Sequence, residues 1–239
     1  MTPVPPVSPL PPVLPDRVVV LPGGYGNDMD ATRELLRVVA RGEHGPALRV
    51  YKPRPTVAFG RRETHHRGYP AATAAAGLHG FASVVRNTGG RAVAYGDGCL
   101  IVELIAPDPS PPSRLTARFA AFGGALAAAL RSLGVDATVG RLDGEFCPGD
   151  HSVIGAGSIK LAGTAQRLVA GAWLCSASIT VSGAAPLRKV LVDVYRELEF
   201  GWRPETLGSV TDLVPSLTTT DVEDALVPAL GGTASYRTP

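Results

Sequence analysis

Apolar and polar positions follow two periods along this chain, and each predicts its own kind of element. Leu115, Phe119, Phe122, Leu126, Leu130 and Leu133 recur at steps of three or four. With 3.6 residues per turn they share one face, which predicts a core helix packed on a sheet. The same period in DMDATRELLRVVARG (28–42) predicts an amphipathic helix with an Asp cap and Gly42 just past its end. Further helices are expected at AATAAAGLHG, PLRKVLVDVYRELE and DVEDALVPAL. Short β-branched and apolar runs predict strands at RVVVLPG (17–23), and at ALRVYK and TVAFGR, which a PRP turn joins. FASVVR and CLIVELIA flank a glycine turn, NTGG, and VDATVG, SVIGAGSIKLAG and AGAWLCSASITV follow, with a tight turn at GAG. Strands and helices mix without regular βαβ alternation. The expectation is an α/β fold of the α+β type, a mixed and largely antiparallel sheet packed with helices.

Composition changes this picture little. The chain has 239 residues, 45% hydrophobic and 18% charged, which is globular in character. Residues 1–16 carry the proline-rich MTPVPPVSPLPPVLP and read as an extended arm, leaving 17–239 as a single domain. A net charge of +2 without a basic cluster speaks against nucleic acid. No apolar run is long enough to cross a bilayer, and the N-terminus lacks the pattern of a signal peptide. Three cysteines, Cys99, Cys147 and Cys175, form no CxxC pair, which suits a reducing cytoplasm and points to neither a zinc site nor a disulfide framework.

Two stretches carry chemistry. In VVRNTGGRAVAYGDG (84–98), paired glycines allow a tight turn and a close approach of backbone to ligand. Arg86 and Arg91 bracket that turn, suited to a phosphate or carboxylate, or simply to solvent on an ordinary hairpin. In GEFCPGDHSVIGAGSIKLAGTAQR (144–167), Lys160 sits among small and apolar residues where a lysine is normally avoided. Pointing into a pocket, its ammonium would polarise an acyl carbonyl. On an edge strand it would only deter aggregation. Cys147 stands in a Gly/Pro-bounded loop and is either a nucleophile able to carry a thioester or an inert loop thiol. His151, four residues on, is the nearby group able to act as its base. His65 and His66 read as loop residues, with no metal site expected, and Cys175 as a small buried hydrophobe.

RNTGGRAV followed by GSIKLAGTAQR resembles the lipoate–protein ligase A and octanoyltransferase family, related in fold to biotin ligases and class II synthetases. The likeness runs from about residue 17 to 200. It implies that Lys160 and Cys147 are catalytic. It also implies that Arg86, Thr88, Gly89, Gly90, Arg91, Ala92 and Tyr95, with Gly163, Thr164, Ala165 and Gln166 of the K-x-x-G-x-A-Q pattern, bind substrate. It implies transfer of an octanoyl or lipoyl group to a lysine of a lipoyl carrier domain, on the glycine-cleavage H protein or a 2-oxoacid dehydrogenase subunit. In the cysteine-dependent branch acyl carrier protein is a possible donor and no cofactor is required. The ligase branch instead uses ATP and magnesium with free octanoate or lipoate. A non-catalytic acyl- or carrier-binding homologue is a third possibility. Tyr95 stands where the family has a histidine, Ser176-Ala177-Ser178 where it has HGS, and Glu63 near a glutamine. Neither a GRGRxGR loop nor a tryptophan–proline–asparagine element of the biotin ligases is present.

Overall fold

The computed structural model describes residues 13–21, 29–109 and 114–233. Its elements are β1 (Val19–Leu21), α1 (Met29–Ala40), β2 (Ala47–Tyr51), β3 (Thr56–Phe59), α2 (Tyr69–Leu78), β4 (Ala82–Val85), β5 (Val93–Tyr95) and β6 (Cys99–Pro107). Then come α3 (Leu115–Ser132), β7 (Ala137–Gly140), β8 (Ser152–Gly155), β9 (Ile159–Val169), β10 (Ala172–Thr180), α4 (Ala184–Glu197) and α5 (Thr219–Ala229). Among the described residues, a seven-stranded sheet runs β1-β2-β6-β10-β9-β8-β7 and a smaller one runs β4-β3-β5. The larger sheet is antiparallel except for the β1–β2 pair. This is the mixed, largely antiparallel α/β architecture that the sequence pattern predicts.

Strand β6 explains the layering. Residues 99–106 are all buried, so both faces of the strand must be covered. Leu100, Val102 and Leu104 face α3 and α5 in one core, with Phe122, Leu126, Leu130, Val222 and Leu226. Cys99 and Ile101 face the other way, into a second core with the smaller sheet and with Leu187 and Leu191 of α4. Ile105 and Leu174 meet Leu36 and Val39 of α1. Full burial of a leucine or phenylalanine side chain stabilises the fold by about 1.5–3 kcal/mol, so the α3 stripe alone is a major contribution. On the second face, α1 and the smaller sheet leave the middle of the sheet for other use.

Several expectations change on contact with the structure. Only the inner part of the α3 stripe is core: Leu115 is exposed and Phe119 half-buried, and both line a cavity. Arg118, on the same helix, is fully buried. Its guanidinium pairs with Asp108 at 2.9 Å and lies over the Trp173 ring. Strand β5 has no counterpart in the sequence reading, because three residues are too few for a period to show. His65 ends a 3-10 turn, Arg61–His65, rather than a plain loop. The tight turn expected at GAG is present: three residues, Ala156 to Ser158, join β8 to β9, with Ala156 and Gly157 both at positive φ (45° and 66°). The Asp28 cap and most of the proline-rich arm lie outside the described residues.

Candidate active site

Lys160 reaches the site through a bulge. Across β8 and β9, Val153 pairs with Ala162 and Ile154 with Lys160, so Leu161 is one residue too many. The extra residue inverts the side-chain alternation, as bulges beside active sites often do. Leu161 stays in the first core while Lys160 turns to the opposite face, against Gly163, whose missing Cβ leaves room for the lysine stem. The strand lies between β8 and β10, and Lys160 is 2% exposed, which excludes the edge-strand reading.

A buried ammonium needs compensation. Glu145 Oε2 lies 2.7 Å from Lys160 Nζ, and its side chain is wholly buried. Nζ also donates to the carbonyls of Phe146 and Cys147 at 3.0 Å each. An ammonium has three N–H groups, and these three acceptors fill them. Lys160 therefore has no donor left for a substrate carbonyl in this arrangement: it holds the cysteine loop from below. Glu145 also accepts from Ser152 Oγ (2.7 Å) and from the N–H groups of Leu142 and Gly149 (3.3 and 3.2 Å), fastening both arms of that loop.

From above, the loop is held by the glycine turn. Cys147 is half-buried at φ +43°, a left-handed conformation that non-glycine residues adopt at a cost and that clusters at functional sites. Its Sγ accepts from the Arg91 N–H at 3.1 Å and from Arg86 Nη2 at 3.3 Å. The same Nη2 donates to the Arg91 carbonyl. Two donors, one of them cationic, thus face the sulfur. Gly90 makes it possible: at φ +102°, a Cβ there would lie 2.3 Å from Arg86 Nη2 and 2.7 Å from the sulfur. Gly60 does the same service one layer back, where a Cβ would meet the Gly90 carbonyl at 2.2 Å.

Two buried side chains tie the turn to the scaffold. Tyr195 on α4 accepts from the Cys147 N–H (2.8 Å) and donates to the Ala92 carbonyl (2.9 Å). Burial holds its phenol well above the ordinary tyrosine range. Glu63 accepts from the N–H groups of Gly60 and Ala92 at 2.6 and 2.8 Å. Burial raises its carboxyl above the usual carboxylate value, against the opposing pull of those two N–H groups and of Arg86 and Arg91. The other cysteines are of a different kind. Burial pushes the Cys99 thiol up to about 11 and raises Cys175 as well, so both are inert packing residues.

Beside the sulfur opens a cavity of about 440 Å³, lined by Cys147, Lys160, Phe119, His151 and the Gly163–Gln166 segment. It adjoins a narrower recess of about 60 Å³ that runs over the sheet to Tyr51, Tyr95 and Glu103. Arg86, Val93, Gly163, Ala165 and Ser178 line both. Of the residues expected at the site, Arg86, Gly89, Gly90, Gly163, Thr164, Ala165 and Gln166 reach the outer part, and Thr88 and Tyr95 the inner. Arg91 and Ala92 line neither part. Arg91 offers its backbone to the sulfur while its guanidinium covers the Phe200 ring, and Ala92 is buried between Glu63 and Tyr195. His151 stacks on Phe119 with ring centroids 5.2 Å apart, and no hydrogen bond joins it to Cys147. Glu145 and Tyr195 escaped the sequence reading. The first had a signal: a lysine in an apolar strand requires an acid within reach, and Glu145 is two residues from the cysteine.

In fold the chain is of the biotin and lipoate ligase kind. It matches a Thermoplasma acidophilum protein solved with bound lipoic acid at a TM-score of 0.65, with 24% identity over 89% of this chain and 83% of that one. It matches a Leishmania major biotin protein ligase in complex with biotinyl-5-AMP at 0.53, with 12% identity over 91% and 74%. Within that kind, residues 25–231 match the model of the lipoyl protein ligase A/B catalytic domain, and the chain belongs to that family of enzymes. An octanoyl-[GcvH]:protein N-octanoyltransferase of Geobacillus kaustophilus is 29% identical over 184 residues, 77% of this chain; the chain spans 64% of that relative's length.

Proposed function

We propose that this protein is an octanoyl-class acyltransferase that carries the acyl group as a thioester on Cys147. The observation that carries the proposal is the sulfur held by the Arg91 N–H and Arg86 Nη2 beside a cavity, on a loop anchored by Lys160. The thiolate attacks the donor's acyl carbonyl. A C–S bond forms, the bond to the donor's leaving atom breaks, and that atom takes up a proton. The neutral amine of an acceptor lysine then attacks the thioester, forming an amide and releasing the thiolate, with the amine proton passing to solvent. Arg86, whose buried Nε has no partner among the described residues, is the group available to steady the carbonyl oxygen as charge develops.

The name of the Geobacillus kaustophilus relative specifies octanoyl-GcvH as donor and a protein nitrogen as acceptor. We take a lipoyl carrier domain of this type as the partner, with acyl carrier protein the other donor to test. Incubation with octanoylated GcvH should add one octanoyl group to the protein's mass, reversibly, and Cys147→Ser should abolish the adduct and the transfer. Carrier modification that depends on free octanoate and ATP, and that survives Cys147→Ser, would instead establish a ligase.

A further inference from the structure

An acceptor amine that attacks a thioester becomes cationic as the C–N bond forms, and it must give up a proton. Few groups of this site can take it. The ionisable residues lining the outer cavity are Arg86, Cys147, Asp150, His151 and Lys160. Cys147 carries the acyl group at that moment. A guanidinium such as that of Arg86 stays protonated in proteins. Lys160 has its three N–H groups taken by Glu145 and two carbonyls. Asp150 pairs with Arg141 at 3.1 Å, and a carboxylate is a weak base at neutral pH. In the inner recess, burial raises the phenols of Tyr51 and Tyr95, which keep their protons, and Glu103 is paired with Arg49 at 3.1 Å. His151 remains. Its carbonyl accepts from Thr164 Oγ1 at 2.9 Å, and its ring lies flat on Phe119, with the two planes 5° apart. That stacking fixes the ring but engages neither nitrogen, and neither makes a hydrogen bond among the described residues.

Resting on the thioester reading above, we infer that His151 is a catalytic residue of the transfer, serving the substrate nitrogen and not the thiol. The acyl chain takes the recess along Met29, Ile101 and Leu174, which leaves the wider outer cavity, and His151, to the carrier's lysine arm. As the amine attacks, the C–N bond forms and a ring nitrogen of His151 takes the proton with its lone pair. The C–S bond then breaks, Cys147 leaves as thiolate, and the imidazolium passes its proton to solvent. A carrier amide as donor runs the same steps in reverse. The C–S bond forms, the C–N bond breaks, and the imidazolium protonates the departing nitrogen, which does not leave as its anion. A thioester donor needs no such proton, because a thiolate leaves unaided. Histidine is the side chain that gains and loses a proton between pH 5 and 8. The charged groups nearest it are each paired: Asp150 with Arg141, Lys160 with Glu145, and Arg118 of α3 with Asp108.

The test times the two half-reactions separately, by intact mass on the full chain. Cys147 is acylated either by S-octanoyl-N-acetylcysteamine or by octanoylated GcvH, and the isolated acyl-enzyme is then mixed with unmodified GcvH. His151→Gln should slow both carrier steps about 10²-fold at pH 7, the usual share of a general acid or base. Acylation by the small thioester should change by less than about threefold, which also shows that the variant is folded with its thiol in place. A plot of log rate against pH for transfer to GcvH should bend between pH 5 and 8 in the wild type and run straight in the variant. Carrier steps as fast in His151→Gln as in the wild type, or slowed no more than the thioester step, overturn the inference. If the wild type forms no acyl-Cys147 and modifies the carrier by another route, the thioester reading falls. Loss of the bend in His151→Gln then still supports His151 as the group that takes the amine proton, and an unchanged profile overturns it.

Discussion

Replacing Glu145 by alanine isolates the buried pair on which the cysteine loop rests. The substitution leaves the Lys160 ammonium, 2% exposed, without a counter-charge, and takes the acceptor from Ser152 Oγ and two backbone N–H groups. Breaking a buried pair from one side costs about 3–5 kcal/mol, against a whole-domain stability of about 5–15 kcal/mol. Urea unfolding followed by circular dichroism should show the midpoint fall by about 1–2 M, with the slope unchanged, given slopes of about 2–3 kcal/mol/M for a chain of this size. The double variant Glu145→Leu/Lys160→Met removes both charges together and should recover most of that loss, because apolar replacements of buried pairs are close to neutral. It should not recover acyl transfer, since the Phe146 and Cys147 carbonyls lose their anchor. A single-variant loss below about 1 kcal/mol, as for an exposed pair, or losses that simply add in the double variant, would refute the reasoning.

Alkylation by iodoacetamide at pH 8 should modify Cys147 alone in the folded protein: with its thiol at about 11, Cys99 holds about one thiolate in a thousand, and Cys175 fewer. Peptide mapping that finds either buried cysteine labelled at a comparable rate contradicts the packing described. Gly90→Ala places a Cβ 2.3 Å from Arg86 Nη2 and 2.7 Å from the sulfur. Acyl transfer should drop about 10²-fold, the usual consequence of a displacement near 1 Å, and an unimpaired rate would mean that the turn and the thiol do not meet. Glu63 binds its proton more tightly folded than unfolded, so its contribution to stability is complete below about 4.5 and is lost as pH rises through its raised value. The stability difference between wild type and Glu63→Gln should therefore favour wild type more at pH 4 than at pH 7, and urea midpoints sloping the other way would reverse the sign of that shift.

What could be read from the sequence was whatever rests on local chemistry or on a period. The α3 stripe, the GAG hairpin and the glycine turn after a strand all declare themselves within a few residues. Lys160 was visible as an anomaly, a charge in an apolar strand, but its direction was not. That direction is set by one bulged residue, Leu161, which only the pairing of β8 with β9 reveals. Tyr195 was hidden for the opposite reason: on α4 it occupies an ordinary apolar position, and its hydroxyl matters only because the Cys147 loop lies within 2.8 Å. In the sequence, the nearest candidate partner for Cys147 is His151, four residues on. The fold paired it instead with Arg86 and the Arg91 N–H, residues 61 and 56 positions away.

That substitution of partners has a mechanistic consequence. On the proposed thioester route a histidine base beside the cysteine would take its proton, whereas the fixed donors seen here would hold the sulfur in position. The seat here is built almost wholly from backbone and buried charge: the Arg91 N–H, the carbonyls taken by Lys160, and the left-handed turn at Cys147. Its geometry depends on two supports, Tyr195 of the second core on one side and the buried Glu145–Lys160 pair on the other. Substitutions away from the sulfur that loosen either support should then weaken transfer before they unfold the chain, because a loop placed from both sides loses its position as soon as one side moves.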